Sequence, residues 1–364
     1  MNRRHKLLLG GLAAGGAAAG LAAGITGFGM AAAGRWLWNH LRSERSNNLR
    51  HHTVLITGGS RGLGLALAEE FAQLGCNIVI CARDEDELAR ARRQIQQLGA
   101  DVVTVVCDVS RQHEVEHMVS IARQHFGEID LLVNNAGIIS VGPLLSQTAE
   151  DFKEAMDVMF WGTVFPTLAV LPQMIERGTG RIVNISSIGG KVSIPHLLPY
   201  SCAKFAVVGF SEGLHAELKR FGLHVLTVVP GLMRTGSHLN ASFKGKQKHE
   251  YGWFALSGTN PLLSVSAERA ARQIIDAVRR NQAELVISWQ AKILAHVHGA
   301  APGLTAEALG LVNRLLPNVK GASGKMHAAR TKKGHESQSL VTRSPLTALG
   351  KQAARRYNQL GESA

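Results

Sequence analysis

The chain is poor in cysteine, in aromatic residues and in charge: four Cys, 5% Phe, Trp and Tyr together, and 18% Asp, Glu, Lys and Arg in 364 residues. Cys76, Cys81, Cys107 and Cys202 show no CxxC spacing, and three of them fall in or beside apolar, strand-like runs where a thiol behaves as a small hydrophobe. That pattern argues against a disulfide framework and suggests no metal site. Net charge is also missing from the middle of the chain, where residues 51–319 carry 24 basic and 24 acidic side chains. The overall +13 sits at the ends, +6 over residues 1–50 and +7 over residues 320–364. A neutral body argues against nucleic acid as a partner, because a reading surface needs basic residues on a folded element. Basic ends fit attraction to a membrane surface or simple solubilising tails.

One uncharged run is long. Leu7 to Gly34 covers 28 positions between Lys6 and Arg35, with Trp36 and Trp38 just beyond. As a helix it would reach roughly 42 Å, more than a hydrocarbon core of about 30 Å. Nineteen of its residues are Gly or Ala, which weakens both helicity and the drive to insert. Gly16, Gly20 and Gly24 would share one helix face, as in helix pairs that approach closely in lipid, or they reflect compositional bias alone. A cleaved signal with Ala31-Ala32-Ala33 as its small-residue site is the second reading.

From His52 onward, short β-branched runs alternate with amphipathic stretches, as in βαβ units around a parallel sheet. Strands are expected at 53–57, 77–82, 102–107, 130–134, 181–186, 224–229 and 285–288. Helices are expected near 62–75, 84–98, 111–126, 149–176, 199–221 and 267–280. This describes an α/β fold with one doubly wound, seven-stranded parallel sheet. The organisation read from it is a hydrophobic segment and basic linker at 1–50, a catalytic domain at 51–288, a helical extension at 289–319 and a basic, disordered tail at 320–364. Residues 231–266 break the rhythm and read as a mobile substrate loop.

The first strand leads into Thr57-Gly58-Gly59-Ser60-Arg61-Gly62-Leu63-Gly64 and at once into a helical pattern. Glycines there let backbone approach a pyrophosphate, and the helix N-terminus offers N–H groups and partial positive charge. The spacing is TGxxxGxG. It is followed in order by Asp108-Val109, by Asn134-Asn135-Ala136-Gly137 and by Pro230-Gly231 with Thr235. Across about residues 52–288 the chain resembles the short-chain dehydrogenases/reductases. The resemblance implies a Rossmann-like fold and a nicotinamide cofactor. It implies Asp108 at the adenine, with Val109, Asn135, Ala136, Gly137, Pro230, Gly231 and Thr235 among the cofactor-binding residues. After the second strand, where a carboxylate would bind a ribose 2′-hydroxyl, stands Arg83; with Arg61 it favours NADP(H) over NAD(H).

Tyr200 and Lys204 are four residues apart, so on a helix they share one face. An ammonium beside a phenol lowers the phenol's pKa from about 10 toward a useful range. Ser187 lies thirteen residues before Tyr200, the family spacing for a serine that hydrogen-bonds the substrate oxygen, with Ser186 as the near miss. The resemblance implies Tyr200 as general acid and base, with Lys204 also on the nicotinamide ribose. One departure stands out: Met159 occupies the position, three residues before Gly162, where the family carries an asparagine in its proton relay. A thioether cannot replace an amide there.

Ile188, Ile194, Leu197, Leu198, Trp253 and Phe254 suggest an apolar pocket. The expectation is interconversion of a lipophilic alcohol with its ketone or aldehyde, of steroid, retinoid or fatty-chain type. A membrane-held, non-catalytic NADP(H)-binding scaffold or sensor is the alternative. Location is expected at a membrane through residues 7–34 with the catalytic domain facing the cytoplasm, or else free in the cytoplasm. A homodimer or homotetramer is implied by the resemblance.

Overall fold

The β-branched runs become parallel strands because each is apolar on both faces and needs a helical layer on either side. The computed structural model describes residues 48–317, 331–337 and 347–360. The uncharged run 7–34 lies outside the described residues.

Strands β1 (Thr53–Thr57), β2 (Asn77–Ala82), β3 (Val102–Val106) and β4 (Leu131–Asn134) are followed by a short β5 (Ser140–Val141), then β6 (Arg181–Ile185) and β7 (His224–Pro230). After the short β8 (Leu232–Arg234), β9 (Ser242–Phe243) and β10 (Ser264–Ser266) comes β11 (Glu284–Ile287). Seven of these form one sheet in the order β3-β2-β1-β4-β6-β7-β11, every pairing parallel. The chain starts in the middle, winds to one edge, returns and winds to the other, so a crevice opens at the C-terminal ends of β1 and β4. The expected fold class stands.

Helices α1 (Gly62–Gln73), α2 (Glu85–Gln96) and α3 (Gln112–Phe126) connect the first four strands. A longer stretch follows as α4 (Ala149–Ala155), a π-helical turn at Met156–Trp161, and α5 (Gly162–Arg177). This stretch is long and apolar enough to cross a membrane, but over half of its apolar window is buried inside the domain, as befits a core helix. Next come α6 (Leu198–Leu218), α7 (Gln247–Thr259) and α8 (Ala267–Arg279). Two apolar clusters line the two faces of the sheet. One is built around Ile56, Phe71, Ile80 and Ile274, the other around Leu55, Val79, Met118 and Ile182.

Two expectations are corrected. Residues 231–266 contain α7 and three short strands, because Tyr251, Ala255, Leu239 and Phe243 are apolar enough to build a small core of their own. The tail is not disordered where it is described. β12 (Lys332–Lys333) pairs with β9, and a helix, Ala348–Arg356, packs on the body with Ala354 and Tyr357 buried. In between, α9 (Trp289–Ala300) and α10 (Pro302–Asn313) form a pair that leaves Trp289, Ile293, Leu304 and Leu311 exposed. The tail helix is α11.

Candidate active site

The expected site residues gather at the C-terminal edge of the sheet. Thr57 ends β1 with Gly58 next, Asn134 ends β4 with Asn135 to Gly137 next, Ser187 follows β6, and Pro230 ends β7 with Gly231 next. Arg83 and Asp108 follow β2 and β3.

Asn135 ties the first two of these together: its backbone N–H donates to Thr57 Oγ1 at 3.0 Å and its carboxamide donates to the carbonyls of Thr57 and Gly58, both at 3.0 Å. The Ala136 N–H reaches the same Thr57 hydroxyl at 3.2 Å. Two glycines are required by this packing. Gly58 has φ +62, and a Cβ on it would lie 2.9 Å from Ala136 Cα; a Cβ on Gly64 would lie 2.2 Å from the Gly58 carbonyl oxygen. Among the described residues, the amides of Leu63 and Gly64 have no acceptor within the chain. A cradle too tight for side chains, with donors at a helix N-terminus, fits a dinucleotide pyrophosphate.

At the adenosine end, Arg61 is engaged. Its guanidinium pairs with Glu87, which also accepts from the Ser60 hydroxyl at 2.9 Å. Arg83 is exposed. Both guanidiniums act on Lys333 of the tail, whose pKa burial lowers first and their charges lower further, against the pull of Glu154 and Glu336. Asp108 holds Ser110 through one carboxylate oxygen, and Val109 is buried against Gly162. At the far end, the Gly231 N–H donates to Ile287, while Thr235 is buried and its hydroxyl accepts from the Ser237 N–H.

The two serines after β6 divide. Ser186 is buried and donates its hydroxyl to the Lys204 carbonyl at 3.0 Å, a structural bond. Ser187 is half-buried and accepts from the Gly189 N–H at 3.0 Å, and its hydroxyl and the Tyr200 ring flank Gly189 together. Tyr200 and Lys204 lie on one face of α6, as their spacing requires. Their electrostatics differ from expectation, because Lys204 is 5% exposed and donates its ammonium to the Ile185 carbonyl at 2.7 Å, 5.9 Å from the Tyr200 ring centre. Burial pushes the Tyr200 phenol upward, and the Ser187 hydroxyl pulls it only part of the way back. Burial likewise lowers Lys204 to about 8. The resting site thus presents a neutral phenol, the form that donates a proton when a carbonyl is reduced.

Met159 sits in the π-helical turn, 1% exposed, in an apolar cluster with Ala155 and Ala203 against which Tyr200 packs. Its carbonyl accepts from Thr163 at 2.7 Å, and its sulfur lies beside Gly137. Apolar packing therefore takes the place of an amide behind the tyrosine.

On the other side of Tyr200, Ile139, Ile194, Leu197, Trp253 and Phe254 form an apolar wall. Sequence reasoning missed what braces it. Glu250, wholly buried on α7, accepts from His196 Nδ1 at 2.9 Å and from the Trp253 indole at 2.8 Å. His196 adopts φ +63 just ahead of α6, and its carbonyl accepts from Gly142. A charged residue among aromatics near 250 was the available signal, but nothing in sequence paired it with a histidine 54 positions away.

Comparison with known proteins bears on the family and the fold. A dehydrogenase/reductase SDR family protein 7-like from Drosophila melanogaster is 32% identical over 276 residues, covering 74% of this chain and 82% of its own. A short-chain dehydrogenase/reductase from Burkholderia phymatum, solved in complex with NAD, superposes with a TM-score of 0.65 at 25% identity, covering 71% of this chain and 96% of that one. A variant of actinorhodin polyketide ketoreductase, solved with NADPH, gives 0.57 at 30% identity, covering 65% and 95%. A family model described as short chain dehydrogenase matches residues 52–244, more than half the chain, and on that match the protein belongs to the short-chain dehydrogenase/reductase family of oxidoreductases.

Proposed function

We propose that the protein interconverts an apolar ketone or aldehyde with its alcohol, using NADP(H), with Tyr200 as the general acid and base. The observation that carries this reading is the placement of Ser187 and Tyr200 together around Gly189, beside the apolar wall of Ile194, Leu197, Trp253 and Phe254. A nicotinamide dinucleotide supplies the hydride when bound. Thr57 to Gly64, Asn135 to Gly137 and Pro230 to Thr235 would hold its length. Ser187 would donate to the carbonyl oxygen of the substrate, and Tyr200 would pass its phenolic proton to that oxygen as negative charge develops there. Lys204, held by Ile185, would hold the phenolate that remains until a proton returns. Arg61 in the glycine turn and Arg83 after β2 support a cofactor carrying a 2′-phosphate. The apolar wall supports a lipophilic substrate, and residues 7–34 support attachment to a membrane.

Purified protein incubated with NADPH and a panel of apolar ketones tests this. Tyr200→Phe is expected to lower kcat about 10²- to 10⁴-fold while dinucleotide binding is retained. Cofactor binding without turnover on any carbonyl, or turnover indifferent to Tyr200→Phe, would overturn the reading. Fractionating cells that express the full chain and a chain starting at Arg45 tests the membrane attachment; equal solubility would end it.

A further inference from the structure

The tail reaches the glycine turn. Arg356, at the end of α11, makes a two-pronged ion pair with Glu69 of α1, at 2.7 and 2.8 Å. The next three residues lie along the turn itself. The Tyr357 carbonyl accepts from the Gly62 N–H at 3.0 Å. Asn358 donates to the carbonyls of Ser60 and Glu87, both at 2.9 Å, and accepts from Arg90 at 2.7 Å.

Gln359 is the residue left with something to give. It is 9% exposed, and its carboxamide oxygen accepts from Asn240 at 2.7 Å, which fixes the direction of the amide. The NH2 group must then point the opposite way. It lies 2.8 Å from where a Gly62 Cβ would stand, a position 3.8 Å from the Thr235 side chain. Among the described residues no acceptor meets that NH2 group. The neighbouring amides of Leu63 and Gly64 are also without one. The NH2 group of Gln359 and the amides of Leu63 and Gly64 gather at a helix N-terminus where the neighbouring carboxylate, Glu87, is engaged by Ser60 and Arg61, an arrangement that suits an anion.

We propose that Gln359 is a cofactor-binding residue, its carboxamide donating to the pyrophosphate of the dinucleotide, so that the C-terminal tail completes the site. This rests on the reading that a nicotinamide dinucleotide lies along the glycine turn. The bond is to a group common to NADPH and NADH and distant from the 2′-phosphate, so its loss should not discriminate between them.

The test is fluorescence titration of the full chain with NADPH and NADH, with adenosine 2′-monophosphate as a competitor that lacks a pyrophosphate. Gln359→Ala should weaken both dinucleotides about tenfold, an ordinary loss for one hydrogen bond to a charged acceptor, and leave adenosine 2′-monophosphate within twofold of wild type. Gln359→Glu, which sets a carboxylate against the pyrophosphate, should weaken both further. If wild type binds neither dinucleotide, the cofactor reading falls and this proposal with it. If wild type binds and Gln359→Ala binds equally well, the proposal alone falls. An equal loss for adenosine 2′-monophosphate would also overturn it, by making Gln359 a prop for the fold.

Discussion

The two ends of the groove handle charge by opposite means. At the catalytic end, Lys204 is enclosed and Tyr200 half-buried, and desolvation alone sets Lys204 while it dominates Tyr200. At the adenosine end, Arg61, Glu87, Arg90 and Asn358 satisfy one another close to solvent. A charge in the first setting costs stability and is kept for chemistry. A charge in the second costs little and tunes which ligand fits.

Lys204→Met tests the costly end and carries the largest expected effect. A lysine lowered from 10.5 to about 8 binds fewer protons folded than unfolded across that window, so wild-type stability should rise with pH between about 8 and 10.5. Below about 8 the enclosed ammonium costs up to about 3 kcal/mol. Lys204→Met should therefore melt higher at pH 7, by about 1–3 kcal/mol, lose the rise with pH and lose turnover. A variant less stable than wild type at pH 7 would break the comparison.

Asn358→Ala probes the other end, where the effect should be smaller. Asn358 is 5% exposed, holds the turn to α2 and adopts φ +53, which an alanine tolerates poorly. A loss of about 1–2 kcal/mol in chemical denaturation is expected. No loss would mean that the tail rests on the body without contributing to it.

The smallest effect, and the most selective, belongs to Glu87→Gln. Releasing Arg61 from its ion pair should move the ratio of NADPH to NADH affinity about fivefold toward NADPH, with little change in melting. An unchanged ratio would show that Arg61 does not meet the 2′-phosphate.

How much of this was legible depended on the range of each interaction. The seven sheet strands were readable from apolar runs, and observed ends fall within about a residue of expectation. Tyr200 and Lys204 were readable because helical spacing is local, and Ser187 because the strand-to-helix distance is set along one stretch of chain. The pairing of Arg61 with Glu87 was not, although Asp84 and Glu87 are recognisable as the start of a helix, where Asp84 accepts from the Glu87 N–H. Glu87 and an arginine 26 positions upstream meet only once the sheet is wound. The ordered segments 331–337 and 347–360 were obscured by the composition of the tail, since Lys, Ser and Gly read as solvated chain.

The amino-acid sequence by itself determined the doubly wound sheet, the glycine turn and the register of Ser187, Tyr200 and Lys204, because periodicity and short spacings act within one or two elements. Only the tertiary structure decided the charge states at the site. Desolvation depends on everything packed around a group, and here it raises the phenol that a neighbouring lysine was expected to lower. The tertiary structure also brought Tyr357 to Gln359, some 300 residues from the glycine turn along the chain, to lie on it. Contacts of that range leave no local pattern; they follow from the packing of α11 against the body and from Arg356 finding Glu69.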